Sequence, residues 1–355
     1  MTKIEKLMQS LPDNTSAGII TSTPNRLYFL NFKSSAGTLV VTKEKAYFII
    51  DFRYFEMAKK AVTDAEIILE DGLESQINSI ITKHNIKRVS LENTYITMKS
   101  FEDMKKYCTP AEVVMNDGFD KTILEMRSIK DADEVNKIKA AQKLTDETFA
   151  YILPRIAAGK TEREIALDME FFIRKNGSEG VSFDFIVLAG VNGSTPHGVP
   201  GENKIKKGDF LTMDFGAVVN GYRSDMTRTV AVGEVSDKMR FVYDTVLKAQ
   251  LESIKAIKAG EKCFDIDKIS RDIIYDAGFK GMYGHGLGHS VGIEIHEEPR
   301  FSPSSNDIAK PGIIMTVEPG VYIEGEFGVR IEDMGQVTQS GFDNFTESPR
   351  HLIIL

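Results

Sequence analysis

Residues 213–230, MDFGAVVNGYRSDMTRTV, contain the signal that decides the fold of the second part of the chain. Apolar-rich runs lie on both sides of Asn220 and Gly221. Asn-Gly between such runs is the strongest short-range hairpin signal, because a type I′ turn needs positive φ at both central residues. We therefore predict an antiparallel hairpin whose two arms carry Asp214 and Asp225.

A hairpin without a bulge places these two aspartates on the same side of the ribbon. A turn centred on Asn-Gly sets Asp225 opposite Gly216, two residues from Asp214. Diagonal cross-strand neighbours lie roughly 7–8 Å apart at their backbones, within reach of one shared ion. The neighbouring residues are apolar, and like charges there are costly unless a cation or a proton compensates. A bulge would turn one aspartate to the other face.

A second acidic hairpin is predicted near the end of the sequence. Two strand-like runs flank Gly325 and Glu326 and carry Glu318 and Glu332. Their even spacing is compatible with one face, although the longer turn leaves the register open. Taken alone, each glutamate is also explained as a solvated strand position, so its interpretation depends on the first hairpin.

An internal repeat links the two hairpins. Gly159 and Gly260 each precede a helical pattern, and Gly208 and Gly312 each precede a strand-borne carboxylate by six residues. Each half therefore predicts two helices followed by an acidic hairpin. Two such halves packed face to face would bring their hairpins together around a shared cleft.

Residues 284–299, GHGLGHSVGIEIHEEP, supply histidines for this cleft: His285, His289 and His296. The glycines between them let the backbone approach a ligand closely. Neutral imidazole beside carboxylates is typical of a transition-metal site. A glycine- and histidine-rich loop can also be structural or bind phosphate, so the metal interpretation requires the carboxylates of the two hairpins.

Two aspartates, two glutamates and one or two histidines form a mixed oxygen and nitrogen ligand set. Such a set suits manganese, cobalt, iron or zinc better than calcium. Two ions roughly 3.5–4 Å apart can hold a bridging water and polarise a substrate carbonyl. The pKa of that water falls toward neutrality. The pattern therefore predicts hydrolysis.

The first third of the chain predicts a separate α/β layer with a mixed or parallel sheet, because short apolar runs alternate with helical patterns. The predicted strands are 17–21, 38–41, 46–50, 67–69, 88–91 and 111–114, and the predicted helices are 53–61, 73–84 and 98–107. This part contains no clustered histidines and no glycine-rich phosphate loop. We predict two domains, 1–122 and 123–355.

Composition excludes several classes of protein. A hydrophobic fraction of 42% with 27% charged residues is that of an ordinary globular protein. The net charge of −8 argues against nucleic acid as the main partner. The two cysteines form no CxxC pair, so we expect a reducing cytoplasm. The first residues lack a secretory signal and no apolar run reaches roughly 18 residues, so we expect no membrane association.

The chain resembles the metallopeptidases of the methionine aminopeptidase, aminopeptidase P and prolidase group. The matching motifs are residues 213–230, residues 284–299 and TVEPGVYIEGEFGVRIED at 316–333. Their order and spacing resemble most closely the Xaa-Pro dipeptidase (prolidase) and Xaa-Pro aminopeptidase branch. The resemblance implies an α+β fold: a pita-bread catalytic domain with an internal pseudo-twofold repeat, preceded by a smaller α/β creatinase-type domain.

The same resemblance implies a dinuclear metal site with two divalent ions per chain. Manganese, cobalt or zinc would serve, with manganese favoured. The implied ligands are Asp214, Asp225, His289, Glu318 and Glu332, of which Asp225 and Glu332 would bridge the ions.

The resemblance also implies catalytic roles for His197, His296 and Glu318. The histidines would be donors near the scissile carbonyl and the developing oxyanion, and Glu318 would shuttle a proton to the leaving nitrogen. From the residues alone, His197 is simply a histidine in the loop VNGSTPHGVPG, of a composition common in binding loops.

Three further residues are assigned to the substrate side of the site. His285 would support the substrate or the ligands. Arg300 and Arg330 are candidates for gripping a substrate carboxylate, because guanidinium offers a rigid bidentate fork. Arg330 could equally orient the ligand Glu332.

The expected activity is cleavage of Xaa-Pro bonds in dipeptides or at the N-terminus of short peptides, by attack of a metal-bridging hydroxide on the scissile carbonyl. Whether the enzyme is a dipeptidase or an aminopeptidase depends on closure of the pocket beyond the second residue. The resemblance implies a homodimer acting on small peptides. The alternatives are a broader-specificity aminopeptidase, a creatinase-like C–N hydrolase and a non-catalytic pita-bread binding module.

Overall fold

A computed structural model describes residues 1–12, 16–115 and 118–355. The chain divides into two compact units, Met1–Arg127 and Ser128–Leu355. The sequence places the boundary slightly earlier, between residues 122 and 123, which lie inside a helix that spans Phe119–Ser128. Within the described part of the chain, no helix is long and apolar enough to cross a membrane.

The first unit is built on a six-stranded mixed sheet with the order β4-β3-β2-β1-β5-β6. Its strands are β1 (Ala17–Ile20), β2 (Thr38–Thr42), β3 (Ala46–Ile50), β4 (Glu66–Leu69), β5 (Arg88–Leu91) and β6 (Glu112–Val114). Its helices are α1 (Lys3–Gln9), α2 (Thr23–Leu30), α3 (Phe52–Ala61), α4 (Leu73–Lys83), α5 (Met98–Tyr107) and α6 (Phe119–Ser128). The pairs β1–β2 and β2–β3 are antiparallel and the other neighbours are parallel.

All six predicted strands and all three predicted helices of this unit are present, but α1, α2 and α6 were not predicted. Pro24 lies between two predicted strands, where proline is typical of a break. Proline is nevertheless well accepted in the first turn of a helix, where its missing N–H has no partner to lose. Here Ser22 caps α2 by accepting a bond from the Asn25 N–H, so the same residues start a helix.

The second unit contains four long helices and twelve strands among its described residues. The helices are α7 (Ala132–Ile152), α8 (Glu162–Lys175), α9 (Asp237–Ala256) and α10 (Cys263–Ile274). The strands are β7 (Ile186–Ala189), β8 (Asp209–Phe215), β9 (Val218–Val219), β10 (Tyr222–Arg223), β11 (Met226–Val232), β12 (Gly288–Ser290), β13 (Glu297–Phe301), β14 (Ile314–Val317), β15 (Gly320–Ile323), β16 (Phe327–Arg330), β17 (Asp333–Val337) and β18 (Phe342–Asn344). Two helices precede a hairpin in each half, as the internal repeat predicts.

The backbone repeats in detail between the two halves. Gly159 and Gly260 have nearly equal positive φ values, 96° and 91°, just before α8 and α10. The Gly159 N–H donates to the Ile205 carbonyl at 2.8 Å, and the Gly260 N–H donates to the Ala309 carbonyl at 2.9 Å. The same turn geometry therefore attaches the second helix of each half to the strand region that follows it.

The two acidic hairpins belong to two sheets that meet edge to edge. One sheet has the order β11-β8-β7, and the other has the order β13-β12-β14-β17-β18. The Glu332 N–H donates to the Thr227 carbonyl at 3.0 Å, and the Thr229 hydroxyl donates to the Arg330 carbonyl at 3.0 Å. These bonds join β11 to the second hairpin, so the carboxylates of both hairpins converge.

Candidate active site

The first hairpin has the register that the sequence predicts. Asn220 and Gly221 have φ values of 50° and 78°, as a type I′ turn requires. One unbroken register runs from the tip, where β10 pairs with β9, to the base, where Thr227 of β11 pairs with Asp214 of β8. It sets Asp225 opposite Gly216, whose missing Cβ would lie 1.9 Å from the Ser224 carbonyl oxygen. The hairpin therefore contains no bulge.

Asp214 and Asp225 are both buried, with 9% and 4% of their surface exposed. Met213 and Phe215, on either side of Asp214, lie in the apolar core of the unit. Because side chains alternate along a strand, Asp214 faces away from that core and into the cleft. Burial in the hairpin therefore removes the hydration of both carboxylates, and another partner must stabilise them.

The second hairpin brings Glu318 and Glu332 directly opposite one another. Val317 pairs with Asp333, and Gly320 pairs with Arg330, so the register continues through the glutamates. Gly325, with φ of 73°, takes the left-handed position in the short loop at the tip. The sequence left this register open, and the structure places both carboxylates on one face.

His289 of β12 completes the cluster. Its Nε2 lies 3.6 Å from Oδ2 of Asp225 and 3.4 Å from Oε1 of Glu318. Its Nδ1 lies 3.1 Å from the Ser290 carbonyl oxygen, which assigns the proton to Nδ1 and leaves a lone pair on Nε2. Burial lowers the pKa of His289 to about 3, so the imidazole is neutral. A neutral nitrogen facing carboxylates is the state that ligates a metal.

Several carboxylate oxygens in this cluster have no protein partner among the described residues. They are Oδ1 of Asp214, Oδ1 of Asp225 and Oε1 of Glu332. Candidate ligand atoms of Asp225, His289 and Glu332 all lie within 4.8 Å of one another. Burial, followed by repulsion from neighbouring carboxylates, raises the pKa of Asp225 and of Glu332 well above the ordinary range. A divalent cation would satisfy both the orphaned oxygens and the crowded charge, so the residues fit a metal.

Arg330 is buried beside this cluster and its donors are engaged within the protein. Nη2 donates to Oδ2 of Asp214 at 2.6 Å, and Nη1 donates to the Tyr322 hydroxyl at 2.7 Å. Nε donates to the Thr227 hydroxyl at 2.9 Å, which in turn donates to Oε2 of Glu332 at 2.7 Å. One guanidinium therefore connects a carboxylate of each hairpin.

Tyr322 and Thr227 belong to this network and were missed from the sequence. The Tyr322 hydroxyl lies between Nη1 of Arg330 and Nε2 of His285, 3.0 Å from the latter. Burial raises the pKa of Tyr322 to about 12 and lowers that of His285 to about 4, so both are neutral. Strand alternation could have identified both residues. Tyr322 lies four residues after Glu318 and Thr227 lies two after Asp225, so each points to the same face of its strand as that carboxylate.

The remaining predicted residues line the wall of the same cavity. His296 is exposed, and its ring packs edge-on against His289 with 4.5 Å between the centroids. Burial and then the nearby Arg300 lower the pKa of His296. His197 is also exposed on the cavity side of its loop, and Arg300 is exposed beside Glu298.

The cavity has a volume of about 990 Å³ and brings every predicted site residue together. The predicted residues that line it are His197, Asp214, Asp225, His285, His289, His296, Arg300, Glu318, Arg330 and Glu332. It lies wholly within the second unit and continues along one side of α8, past Leu167 and Glu170. The aromatic side chain of Phe183 adds an apolar wall.

The metal-free protein is expected to become more stable as the pH falls from about 8 to 6.5. Burial raises the pKa of Glu318 to about 8, and Asp225 and Glu332 are shifted in the same direction. A carboxyl group whose pKa is higher in the folded than in the unfolded protein stabilises the fold below its folded pKa. This stabilisation is lost as the pH rises through the folded pKa. The lowered pKa values of His289 and His285 oppose this gain, but only weakly until the pH approaches the unfolded value of about 6.5. Urea denaturation of chelator-treated protein at both pH values should show a gain of about 1–2 kcal/mol.

The variant Glu318→Gln provides the control for this pH effect. It removes the carboxyl that titrates within the window and should show a smaller gain between pH 8 and 6.5. A metal-free wild-type protein whose unfolding free energy stays flat or falls over this interval would contradict the expectation.

Two family models match the sequence. Residues 136–339 match metallopeptidase family M24, and residues 2–129 match the creatinase/prolidase N-terminal domain. These matches confirm the predicted pita-bread catalytic domain and the creatinase-type domain that precedes it.

Known proteins are similar over nearly the whole chain. The sequence is 39% identical over 355 residues to the uncharacterized peptidase YqhT of Bacillus subtilis, covering 99% of this chain and 100% of that protein. The fold matches the Xaa-Pro dipeptidase from Bacillus anthracis with a TM-score of 0.95, 39% identity and 99% of both chains covered. It matches the X-Pro aminopeptidase from Thermotoga maritima with a TM-score of 0.92, 31% identity, and 98% of this chain and 99% of that chain covered.

Proposed function

Because the chain belongs to metallopeptidase family M24, we propose that it is a metal-dependent hydrolase of Xaa-Pro peptide bonds. The observation that carries the proposal is a buried cluster in which ligand atoms of Asp225, His289 and Glu332 lie within 4.8 Å of one another. Glu318 lies 3.4 Å from His289, and oxygens of Asp214, Asp225 and Glu332 have no partner among the described residues. The similar solved structures named for Xaa-Pro and X-Pro activities support the choice of substrate.

These five side chains are the proposed ligands of two divalent ions, and manganese is our favoured metal. Four hard carboxylates with a single imidazole suit manganese better than an all-nitrogen or thiolate set would. When bound, the ions supply a Lewis acid for the substrate carbonyl and a water of lowered pKa.

Three side chains of the cavity perform the proton chemistry in this proposal. Glu318, besides being a proposed ligand, takes a proton from the attacking water and delivers it to the leaving nitrogen. His296 and His197 line the cavity as donors for the carbonyl oxygen, on which negative charge develops during attack. The lowered pKa of His296 keeps it neutral, so one ring N–H remains available to donate.

Arg300 is the proposed anchor for a substrate carboxylate. The donors of Arg330 already serve Asp214, Thr227 and Tyr322, which favours an orienting role for that residue. Arg300 instead lies on the exposed wall of the cavity, where its guanidinium can reach a bound peptide. His285, bonded to Tyr322, supports the network from the substrate side.

The second candidate function is a broader-specificity aminopeptidase, because the cavity is large. At about 990 Å³ it is at the upper end of the range of roughly 300–1,000 Å³ for small-ligand sites. One chain therefore has room for more than a dipeptide. A second copy of the chain in a homodimer would restrict this space, and we propose that assembly together with a cytoplasmic location, in keeping with the two unpaired cysteines.

The test compares three substrates under three metal conditions. An Xaa-Pro dipeptide, an Xaa-Pro-Yaa tripeptide and a Met-Xaa peptide are incubated with purified, chelator-treated and manganese- or cobalt-reconstituted protein. We expect the Xaa-Pro substrates to be cleaved, the activity to disappear on chelation, and added metal to restore it. Metal analysis should give about two ions per chain.

The substrates and the metal conditions together separate the alternatives. Cleavage of the dipeptide alone indicates a dipeptidase, and cleavage of the tripeptide as well indicates an aminopeptidase. Turnover that survives chelation would favour a creatinase-like C–N hydrolase, which needs no metal. Fewer than one metal per chain, with no turnover after reconstitution, would leave only a binding module and overturn the proposal.

A further inference from the structure

Glu162, the first residue of α8, has a fully buried carboxylate that takes no part in the cluster described above. Its exposed fraction is 0%. An isolated carboxylate at such a depth is strongly unfavourable unless several donors stabilise it. Among the described residues, the groups that donate hydrogen bonds to this carboxylate all belong to the segment 189–203, which carries His197.

The donors come from the two ends of that segment. At the first end, the Ala189 N–H donates to Oε1 at 2.8 Å and the Asn192 amide donates to Oε1 at 3.0 Å. At the other end, the Gly201 N–H donates to Oε2 at 3.1 Å and the Asn203 amide donates to Oε1 at 2.9 Å. The carboxylate therefore joins the two ends of the segment through charge-assisted hydrogen bonds. It acts alongside the Glu162 and Arg163 N–H groups, which donate to the Asn203 and Gly201 carbonyls at 3.1 Å each.

Residues 196–199 reach the cavity with fewer hydrogen bonds to the rest of the protein than the two ends of the loop have. His197 and Val199 are exposed and line the cavity. The Pro196 carbonyl is only a distant acceptor for Nη1 of Arg330, at 3.5 Å. The position of the His197 ring therefore depends on the base of the loop, together with the close packing of Gly193 against Gly328 and of Gly198 against Leu188.

We propose that Glu162 is a positioning residue that holds His197 toward the bound peptide by closing the base of this loop. The consequence for catalysis rests on the proposed function, whereas the consequence for the loop does not. Glutamine in place of Glu162 would keep the shape but replace one acceptor oxygen with an NH₂ group. One of the two backbone N–H groups, at Ala189 or Gly201, would then lose its acceptor in either orientation of the amide.

The start of α8 provides a matched control two residues away. Thr161 and Glu164 form a capping box, in which the Thr161 N–H donates to Glu164 at 2.7 Å. The Glu164 side chain therefore caps the helix and makes no bond to the 189–203 segment among those described. Glu164→Gln applies the same chemical change to the same helical turn without altering the loop.

Hydrogen exchange of the full-length protein tests the loop directly, without any substrate. In Glu162→Gln, amides of residues 189–203 should exchange about tenfold faster or more than in wild type, because charge-assisted bonds at the loop base are lost. In Glu164→Gln their rates should stay within about twofold of wild type. Unchanged exchange in Glu162→Gln would overturn the positioning role, whatever the enzyme cleaves.

A double-mutant cycle with His197→Ala tests the effect on turnover of an Xaa-Pro peptide. Glu162→Gln should lower kcat/KM about tenfold when His197 is present and less than twofold in the His197→Ala background, because coupled residues are non-additive. Equal losses in both backgrounds would show that Glu162 does not act through His197. If Glu162→Gln fails to fold, Asn192→Ala removes a side-chain donor that serves Glu162 and should show the same coupling at reduced size; additive losses there would overturn the proposal.

Discussion

Replacement of Asp225 by asparagine should reduce kcat for an Xaa-Pro substrate roughly a thousandfold or more. Asparagine offers one neutral oxygen and an NH₂ group where the cluster has a carboxylate 3.6 Å from Nε2 of His289. Loss of metal-based stabilisation of the transition state is worth several kcal/mol, and each 1.4 kcal/mol is about tenfold in rate. Steady-state kinetics with saturating manganese measures the loss.

The same variant should not be less stable once metal is removed. Burial, then Glu332, Asp214 and Glu318, raise the pKa of Asp225, so the charge destabilises the metal-free fold. A neutral amide relieves that repulsion. Chelated Asp225→Asn should therefore melt at or above the temperature of chelated wild type, and it should lose the increase that metal binding gives to wild type.

Asp184→Asn is the matched control, since Asp184 is an exposed aspartate that lines the same cavity outside the cluster. It should retain kcat within about threefold, as expected for a surface substitution. Undiminished turnover in Asp225→Asn, or an equal loss in Asp184→Asn, would show that the two hairpins do not form the reactive site.

Replacement of Arg330 by methionine should destabilise the metal-free protein by about 3–5 kcal/mol. Methionine has a similar length but no donors, so Asp214, Tyr322 and Thr227 would each lose a buried partner. Arg330→Lys should recover only part of this loss, because one ammonium cannot match the three directions of the guanidinium. Chemical denaturation of the chelated variants gives the free energies.

Arg300→Met separates stability from substrate recognition. Arg300 has a side chain 49% exposed and forms an exposed ion pair with Glu298, so its loss should change the unfolding free energy by less than about 0.5 kcal/mol. We expect it instead to raise KM for substrates with a free carboxylate beyond the scissile bond. If Arg330→Met left stability unchanged and raised KM alone, the orienting role of Arg330 would be wrong.

The sequence predicted those parts of the site that short-range rules govern. The Asn220–Gly221 turn fixes one register, and strand alternation then places Asp214 and Asp225 without further information. The second hairpin could not be resolved in the same way, because the position of its turn was ambiguous over Glu324, Gly325 and Glu326. Only the observed pairing of Ile323 with Phe327 selects the register.

Long-range partners were the residues that the sequence could not assign. The carboxylate of Glu162 binds groups up to 41 positions away, and Arg330 binds Asp214 across 116 positions. No local pattern distinguishes such a glutamate from an ordinary residue in the first turn of a helix. The choice between the two roles of Arg330 likewise depended on contacts that exist only after the halves have packed.

The unbroken register of the two hairpins also bears on how this chain can change in length. An extra residue between Asp214 and Val218 would shift every later partner and turn one aspartate away from its companion. An extra residue beyond the last pair, Val219 and Tyr222, would only enlarge the tip. The tips of the hairpins are thus the places where evolution, or an engineer, can insert sequence while the spacing of the acidic residues stays intact.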